Sequence, residues 1–193
     1  MNRRLFSVIG GAFLLTVCSP RDDGGGAARA APPARPPAEE GQAGGTITGK
    51  VKFTGARPSN PRIDMSEEAA CKAKYTTAPP TAETVVANAN GTLANVFVYV
   101  KTGLPAGGTY PAPATPVVID QDGCRYHPHV LGIRVGQKLE IRNSDPVLHN
   151  IKAKATKNRP FNVSQPSAGM KTMRTFAQPE VMVALECNVH GWM

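Results

Sequence analysis

Short apolar runs separated by Gly, Pro and Asn residues make up most of the chain after residue 45. Two examples are NVFVYVK (95–101) and FNVSQ (161–165), which consist largely of β-branched, aromatic and polar residues. Runs of this length bounded by turn residues predict β-strands. Further strands are expected at 45–55, 116–120, 131–142 (in two pieces), 149–152 and 181–187. Many short strands with frequent turns predict an all-β sandwich.

A single segment, SEEAACKAKY (66–75), has a mildly helical pattern. Ser66 stands at its start and is expected to cap the first turn, because its hydroxyl oxygen can accept a hydrogen bond from a free N–H of that turn. We therefore expect one short helix in an otherwise β-rich domain.

The N-terminal residues 1–18 have the polarity of an export signal. Arg3 and Arg4 precede an apolar run that is too short to span a membrane as a helix. Cys18 follows this run directly and resembles a bacterial lipoprotein cleavage site, where the thiol is lipidated. Val17 departs from the small residue usual before such a cysteine, so ordinary cleavage nearby and a retained anchor remain alternatives.

Residues 19–44 are rich in Ala, Gly and Pro and show no hydrophobic period. This composition predicts a disordered linker. The folded domain is therefore expected at 45–193, exported to the periplasm or the outer side of the membrane and tethered there if Cys18 is lipidated.

The net charge of +8 is concentrated towards the C-terminal half of the chain. Six basic residues and no acid lie between Asp145 and Glu180: Lys152, Lys154, Lys157, Arg159, Lys171 and Arg174. Such a face can steer an acidic partner, or it can be a solvated face without one. The pattern lacks the interleaved aromatic residues of a nucleic-acid-binding surface, so we expect no nucleic acid partner.

Four cysteines are present in a chain that is expected to be exported. Cys71 and Cys124 fall outside the motif described next. In an oxidising compartment they are expected to form a disulfide, the alternative being two buried thiols.

The C-terminal stretch ECNVHGWM places Cys187, His190 and Met193 three residues apart, and His149 lies upstream in NSDPVLHNI. A thiolate, two imidazoles and a thioether suit copper in both oxidation states. Zinc fits less well, because structural zinc sites use four Cys or His ligands. A Cys–His nucleophile is not favoured, since no orienting carboxylate stands out. Taken singly, each of these residues is more typical of a core or surface position, so it is the combination that predicts a copper site.

At these residues the sequence resembles the cupredoxins, the small blue-copper proteins. NSDPVLHN is similar to the segment around the first copper histidine, and CNVHGWM is similar to the loop that carries Cys, His and Met ligands. The chain looks closest to exported bacterial plastocyanin-like proteins, including those linked to methylamine utilisation, which share the Pro128-His129-Val130 strand. The resemblance covers about residues 117–193.

The resemblance implies a Greek-key β-sandwich holding one copper per chain. His149, Cys187 and His190 would form a trigonal set with Met193 as a weak axial ligand, and Asn150 would bridge the two ligand segments. His190 would present the exposed edge for electron transfer. Cupredoxins usually have a strand after the axial methionine, and the chain stops at Met193, so we expect that strand to be missing and axial ligation to be weakened.

The expected function is single-electron transfer between redox partner proteins by a monomeric domain that is not itself an enzyme. Two alternatives remain open from the residues: a periplasmic copper carrier or sensor without electron transfer, and a β-sandwich interaction module whose metal site has degenerated. Trp192 is expected to pack over the site, with a docking role as the alternative. His127 and His129 share one strand face and are expected to be structural residues rather than a second metal site.

Overall fold

The computed structural model describes residues 47–193, so the expected signal sequence, Cys18 and almost all of the linker lie outside the described residues. Seven strands and one short helix occur in the described part. The strands are β1 Val117–Asp122, β2 Arg125–His127, β3 Lys138–Asn143, β4 His149–Lys154, β5 Phe161–Gln165, β6 Lys171–Thr175 and β7 Ala184–Glu186. The helix α1 comprises Ala69–Ala73. No helix of these residues is long and apolar enough to cross a membrane.

The strands form two sheets. One has the order β2-β1-β3-β6, and the other has the order β5-β4-β7. The β1–β3 pair is parallel, whereas the other neighbours are antiparallel. The expectation of an all-β domain is confirmed, and two sheets of this kind are consistent with a cupredoxin-like β-sandwich.

The core lies between the two sheets and is built by the alternation of side chains along each strand. Ile119 of β1, Leu139 and Ile141 of β3, and Ile151 of β4 are almost fully buried in one cluster. Cys187, which follows β7, belongs to the same cluster. The end of the sandwich where β4 begins and β7 ends is therefore continuous with the apolar core.

Buried amides join the sheets close to that end. The Gln121 side chain of β1 contacts the Gln165 side chain of β5, and Gln165 Nε2 donates to the carbonyl of Ile141 at 3.2 Å. Asn143 Nδ2 donates to the carbonyl of Gln165 at 2.9 Å. Paired buried amides fix the relative position of two sheets, because slipping would leave polar groups unsatisfied.

Two expected strands do not form. The segment 47–55 contributes only an isolated bridge between Lys52 and Thr92, and 95–101 contains no strand. Val98 is 75% exposed although the run has high β-propensity. Such propensity depends on a neighbouring strand to pair with, and the Gly- and Pro-rich residues after 101 do not supply one.

Other boundaries also differ from the expectations. The first half of 131–142 is irregular, and the last strand starts at Ala184, since Met182 has a positive φ of 61°. The helix is capped by Glu68, not by Ser66, whose N–H instead donates to Asp64 Oδ1 at 2.9 Å. The strand β6 was not expected, because it is short and polar. The strand expected through His127 and Pro128-His129-Val130 ends at His127 in β2, since Pro128 has no N–H to donate to a neighbouring strand. His127 and His129 therefore do not share a strand face.

We predict that Ile141→Ala lowers the free energy of unfolding by about 2–5 kcal/mol, because it opens a cavity in the centre of the core. The matched control is Lys138→Ala at the exposed start of the same strand, which should change stability by less than about 0.5 kcal/mol. Chemical denaturation followed by circular dichroism measures both. Equal effects of the two substitutions would contradict the position of the core.

Candidate metal centre

The expected ligands meet at one end of the β5-β4-β7 sheet. His149 is the first residue of β4, and Cys187 directly follows β7. Because β7 is antiparallel to β4, with Lys152 opposite Glu186, the end of β7 lies beside the start of β4. His190 follows three residues later in the irregular C-terminal loop.

The three side chains approach one another within the protein. The Nδ1 atoms of His149 and His190 are 2.9 Å apart, and Cys187 Sγ lies 3.9 Å from His190 Nδ1. One ligand atom from each residue lies within 4.8 Å of the others. His149 is completely buried, and His190 and Cys187 are 3% and 6% exposed. Among the described residues, Cys187 is the free cysteine.

The surroundings shift the pKa values of the two imidazoles in opposite directions. Burial opposes charge on His149, but its hydrogen bonds to Asp145 and Cys187 outweigh this and raise its pKa to about 9. Burial and the neighbouring positive charge of His149 lower the pKa of His190. Neutral His190 can thus accept a hydrogen bond at Nδ1 from the Nδ1–H of His149. Burial raises the pKa of the Cys187 thiol, yet the hydrogen bonds from His149 and from backbone N–H groups lower it overall.

Asp145 is a component of the site that the sequence did not reveal. Its Oδ2 lies 3.0 Å from His149 Nε2, and its two oxygens accept the backbone N–H groups of Gly123 and Cys124 at 2.9 and 2.7 Å. Lys74 Nζ lies 3.0 Å from Asp145 Oδ1. These donors hold the pKa of the buried carboxyl well below its usual range, although burial alone would raise it. A carboxylate at Nε2 directs His149 Nδ1 towards Cys187 and His190.

Two asparagines hold the ligand segments in place. Asn143 Oδ1 accepts the N–H of Asp145 at 2.9 Å, an Asx turn that orients the carboxylate. Asn150 Oδ1 accepts the N–H of Asn188 at 2.6 Å. Asn188 lies between Cys187 and His190, so the Asn150 side chain connects β4 to the C-terminal loop.

A disulfide covers the outer side of the imidazoles. Cys71 and Cys124 are bonded, both almost fully buried, with Cα atoms 5.5 Å apart. Cys71 Sγ lies 3.9 Å from His190 Nε2, and Glu68 Oε2 lies 3.8 Å from the same atom. The expectation of an exposed His190 edge is therefore wrong, because α1 and the disulfide cover the nitrogen that would face solvent.

The last two residues pack around His190. The Trp192 ring lies 5.1 Å from the His190 ring, and its Nε1 donates to the carbonyl of Cys124 at 3.0 Å. Met193 donates its N–H to the carbonyl of His190 at 3.1 Å and packs against the core cluster that contains Cys187. Trp192 thus packs over the site, and Met193 lies next to it.

His127 and His129 do not join this group. His127 is exposed, and His129 Nδ1 lies 3.3 Å from Glu83 Oε2 at the surface. In the described residues, the groups of three metal-ligating side chains involve neither of them.

The donor set fits a single transition-metal ion. When two nitrogens bind the same cation, each with a bond of about 2 Å, they lie roughly 3 Å from each other. The Nδ1 atoms of His149 and His190 have a similar separation. The site also supplies a thiol with a lowered pKa and a carboxylate behind one histidine. The cluster of His149, Cys187 and His190 is thus compatible with a metal site.

No protein-family model matches the chain, and no curated protein matches it either. Among solved structures, the chain is similar to the copper-containing nitrite reductase NirK from Thermus scotoductus SA-01. The match has 24% identity and a TM-score of 0.38, and it covers 48% of this chain and 24% of that one. At this score the similarity carries no argument about function.

We predict that Asp145→Asn weakens binding of a divalent transition metal by about 10- to 100-fold, because His149 loses the carboxylate that fixes its orientation. Asp120→Asn is the matched control, since within residues 47–193 the Asp120 side chain accepts hydrogen bonds only from Ser144 Oγ near the surface. Competition titration with a chromophoric chelator measures both affinities. Wild-type affinity in Asp145→Asn, with the fold retained, would contradict the role of this carboxylate.

Proposed function

We propose that this chain is a mononuclear type 1 copper protein that carries single electrons between redox partners. The observation that supports the proposal is the convergence of His149 Nδ1, His190 Nδ1 and Cys187 Sγ at one buried point. Two imidazoles, one thiolate and a weak axial thioether form the ligand set of electron-transfer copper sites. The copper would supply a one-electron couple between Cu(II) and Cu(I).

The residues favour copper over zinc. A structural zinc site needs four strong ligands in tetrahedral arrangement, whereas the described group provides three. The fourth candidate is the thioether of Met193, which is a soft ligand and suits Cu(I). In this proposal Met193 is the axial ligand. It packs against the core cluster that contains Cys187, and its N–H donates to the carbonyl of His190.

Electron transfer is favoured when the ligands move little between oxidation states. His149 is held by Asp145, and Asn150 ties β4 to the loop between Cys187 and His190. The backbone N–H of His190 also donates to Cys187 Sγ at 3.4 Å. These contacts hold the three ligand atoms in place independently of a metal. A rigid set of this kind suits an electron carrier, and we propose no enzymatic step.

The cellular setting belongs to the same proposal. The chain would be exported to the periplasm or the outer side of the membrane, anchored by a lipid at Cys18, and monomeric. Its partner would be a redox protein with an acidic face. A surface groove supports this partner chemistry. Lys138, Arg159 and Arg174 line it together with Phe161, and no acid is among the described residues of its wall.

Replacing the cysteine provides the direct test. With Cu(II), the wild-type chain should show an intense visible thiolate-to-copper band and the narrow EPR hyperfine splitting of a type 1 site, and Cys187→Ser should lose both. His149→Gln should behave like Cys187→Ser, whereas His129→Gln should keep the band, since His129 lies outside the cluster. A band that persists in Cys187→Ser would contradict the assignment.

The axial ligand can be tested through the reduction potential. Met193→Gln should lower the potential, because a harder oxygen ligand favours Cu(II), and Met193→Leu should raise it, because no donor then stabilises Cu(II). Protein-film voltammetry measures both shifts, and a reversible one-electron wave in the wild type tests electron carrying itself. Identical potentials in all three proteins would show that Met193 does not bind the copper.

A further inference from the structure

A second set of donor atoms lies on the outer side of the same two histidines. The Nδ1 atoms of His149 and His190 face Cys187, so their Nε2 atoms point the opposite way. There, His190 Nε2 lies 3.9 Å from Cys71 Sγ. Ligand atoms of Cys124, Asp145 and His149 lie within 4.8 Å of one another. In the described structure the two sulfurs of this set are joined to each other.

We propose that this disulfide conceals a second metal site, which opens when Cys71 and Cys124 are reduced and then binds Cu(I). Two thiolates would be its principal ligands, with Glu68 and Asp145 beside them. The site is distinct from the one proposed above, because it uses neither Cys187 nor the Nδ1 atoms of the histidines. It therefore does not depend on the electron-transfer function.

The reaction that opens the site balances with a dithiol as reductant. The Cys71–Cys124 bond accepts two electrons and two protons and becomes two thiols, while the dithiol becomes a disulfide. Binding of Cu(I) then displaces the two thiol protons, and the copper keeps its oxidation state. Thiolate ligands select soft cations, among which Cu(I) is preferred.

The sulfurs should remain close together after reduction, because other contacts join the same segments. Tyr75 Oη donates to the carbonyl of Gly123 at 2.7 Å, and Trp192 Nε1 donates to the carbonyl of Cys124 at 3.0 Å. Lys74 pairs with Asp145 at 3.0 Å. These contacts hold α1 against the turn at Gly123 and Cys124 without the covalent bond. A pair of thiolates held in this way is preorganised for a metal.

A surface cavity lies beside the residues that cover the disulfide. Ile63 and Trp192 pack on the cluster that contains both sulfurs, and they also line a surface cavity of about 270 Å³. Met193 forms another part of the cavity wall. A small dithiol or a copper complex could reach the disulfide there after a side-chain movement of Ile63 or Trp192.

The test uses the full-length chain carrying Cys18→Ser and Cys187→Ser, so that Cys71 and Cys124 are its remaining cysteines. The protein is reduced with dithiothreitol, desalted without oxygen, and titrated with Cu(I) against bicinchoninate. The reduced protein should bind one equivalent of Cu(I) per chain and show an ultraviolet thiolate-to-copper band. The oxidised protein should bind none.

The matched control adds Cys71→Ser and Cys124→Ser, which should abolish binding under both conditions. Circular dichroism of the reduced, copper-free protein establishes whether the fold persists. Equal copper binding by the oxidised and reduced proteins would overturn the proposal, as would binding that occurs only in an unfolded reduced chain. Preference for Zn(II) over Cu(I) would overturn the assignment of the metal. Because Cys187 is absent here, these results are independent of the visible band that tests the electron-transfer site.

Discussion

The Asp145 carboxylate is the group on which the arrangement of the site depends. It is fully buried, and such a charge is costly unless hydrogen bonds and an opposite charge compensate it. Here the compensation comes from three separate parts of the chain: Lys74 after α1, the backbone N–H groups of the turn at Gly123, and His149 of β4. Satisfying one carboxylate therefore assembles the helix, the turn and the first candidate ligand around a common point.

The hydrogen bond between Asp145 and His149 also fixes which nitrogen each imidazole directs to the interior. A carboxylate accepts hydrogen bonds and donates none, so His149 must present N–H at Nε2 and direct its Nδ1 to the interior. The pKa of His190 is lowered instead, because burial and the adjacent positive charge of His149 favour the neutral imidazole. The pair thus offers two inward-facing nitrogens beside a thiol with a lowered pKa. A cation that replaced the shared proton would find its ligands already oriented.

The sequence predicted the proximity of His149, Cys187 and His190 better than it predicted the surroundings of these residues. Cys187, His190 and Met193 lie in one short loop, so their proximity follows from spacing, and His149 at the start of a strand completes a recognisable pattern. The disulfide and the donors that surround Asp145 are different, because their contacts join distant parts of the chain. Cys71 and His190 are 119 positions apart, and Gly123 and Asp145 are 22 positions apart. The segment 95–101 failed as a strand for a related reason: its composition favours β-structure, but pairing requires a neighbouring strand that composition does not reveal.

Residues of α1 and the disulfide cover His190, and this limits the side from which a partner can reach the site. With α1, Glu68 and the disulfide over its Nε2, this histidine cannot meet a partner directly. The Trp192 ring also packs against His190, and it is partly exposed and lines the cavity beside Met193. The same cavity borders the cluster around the disulfide. Under the two proposals made above, electron exchange at the inner site and reduction of the outer disulfide would share one approach, and the packing of Trp192 would control both.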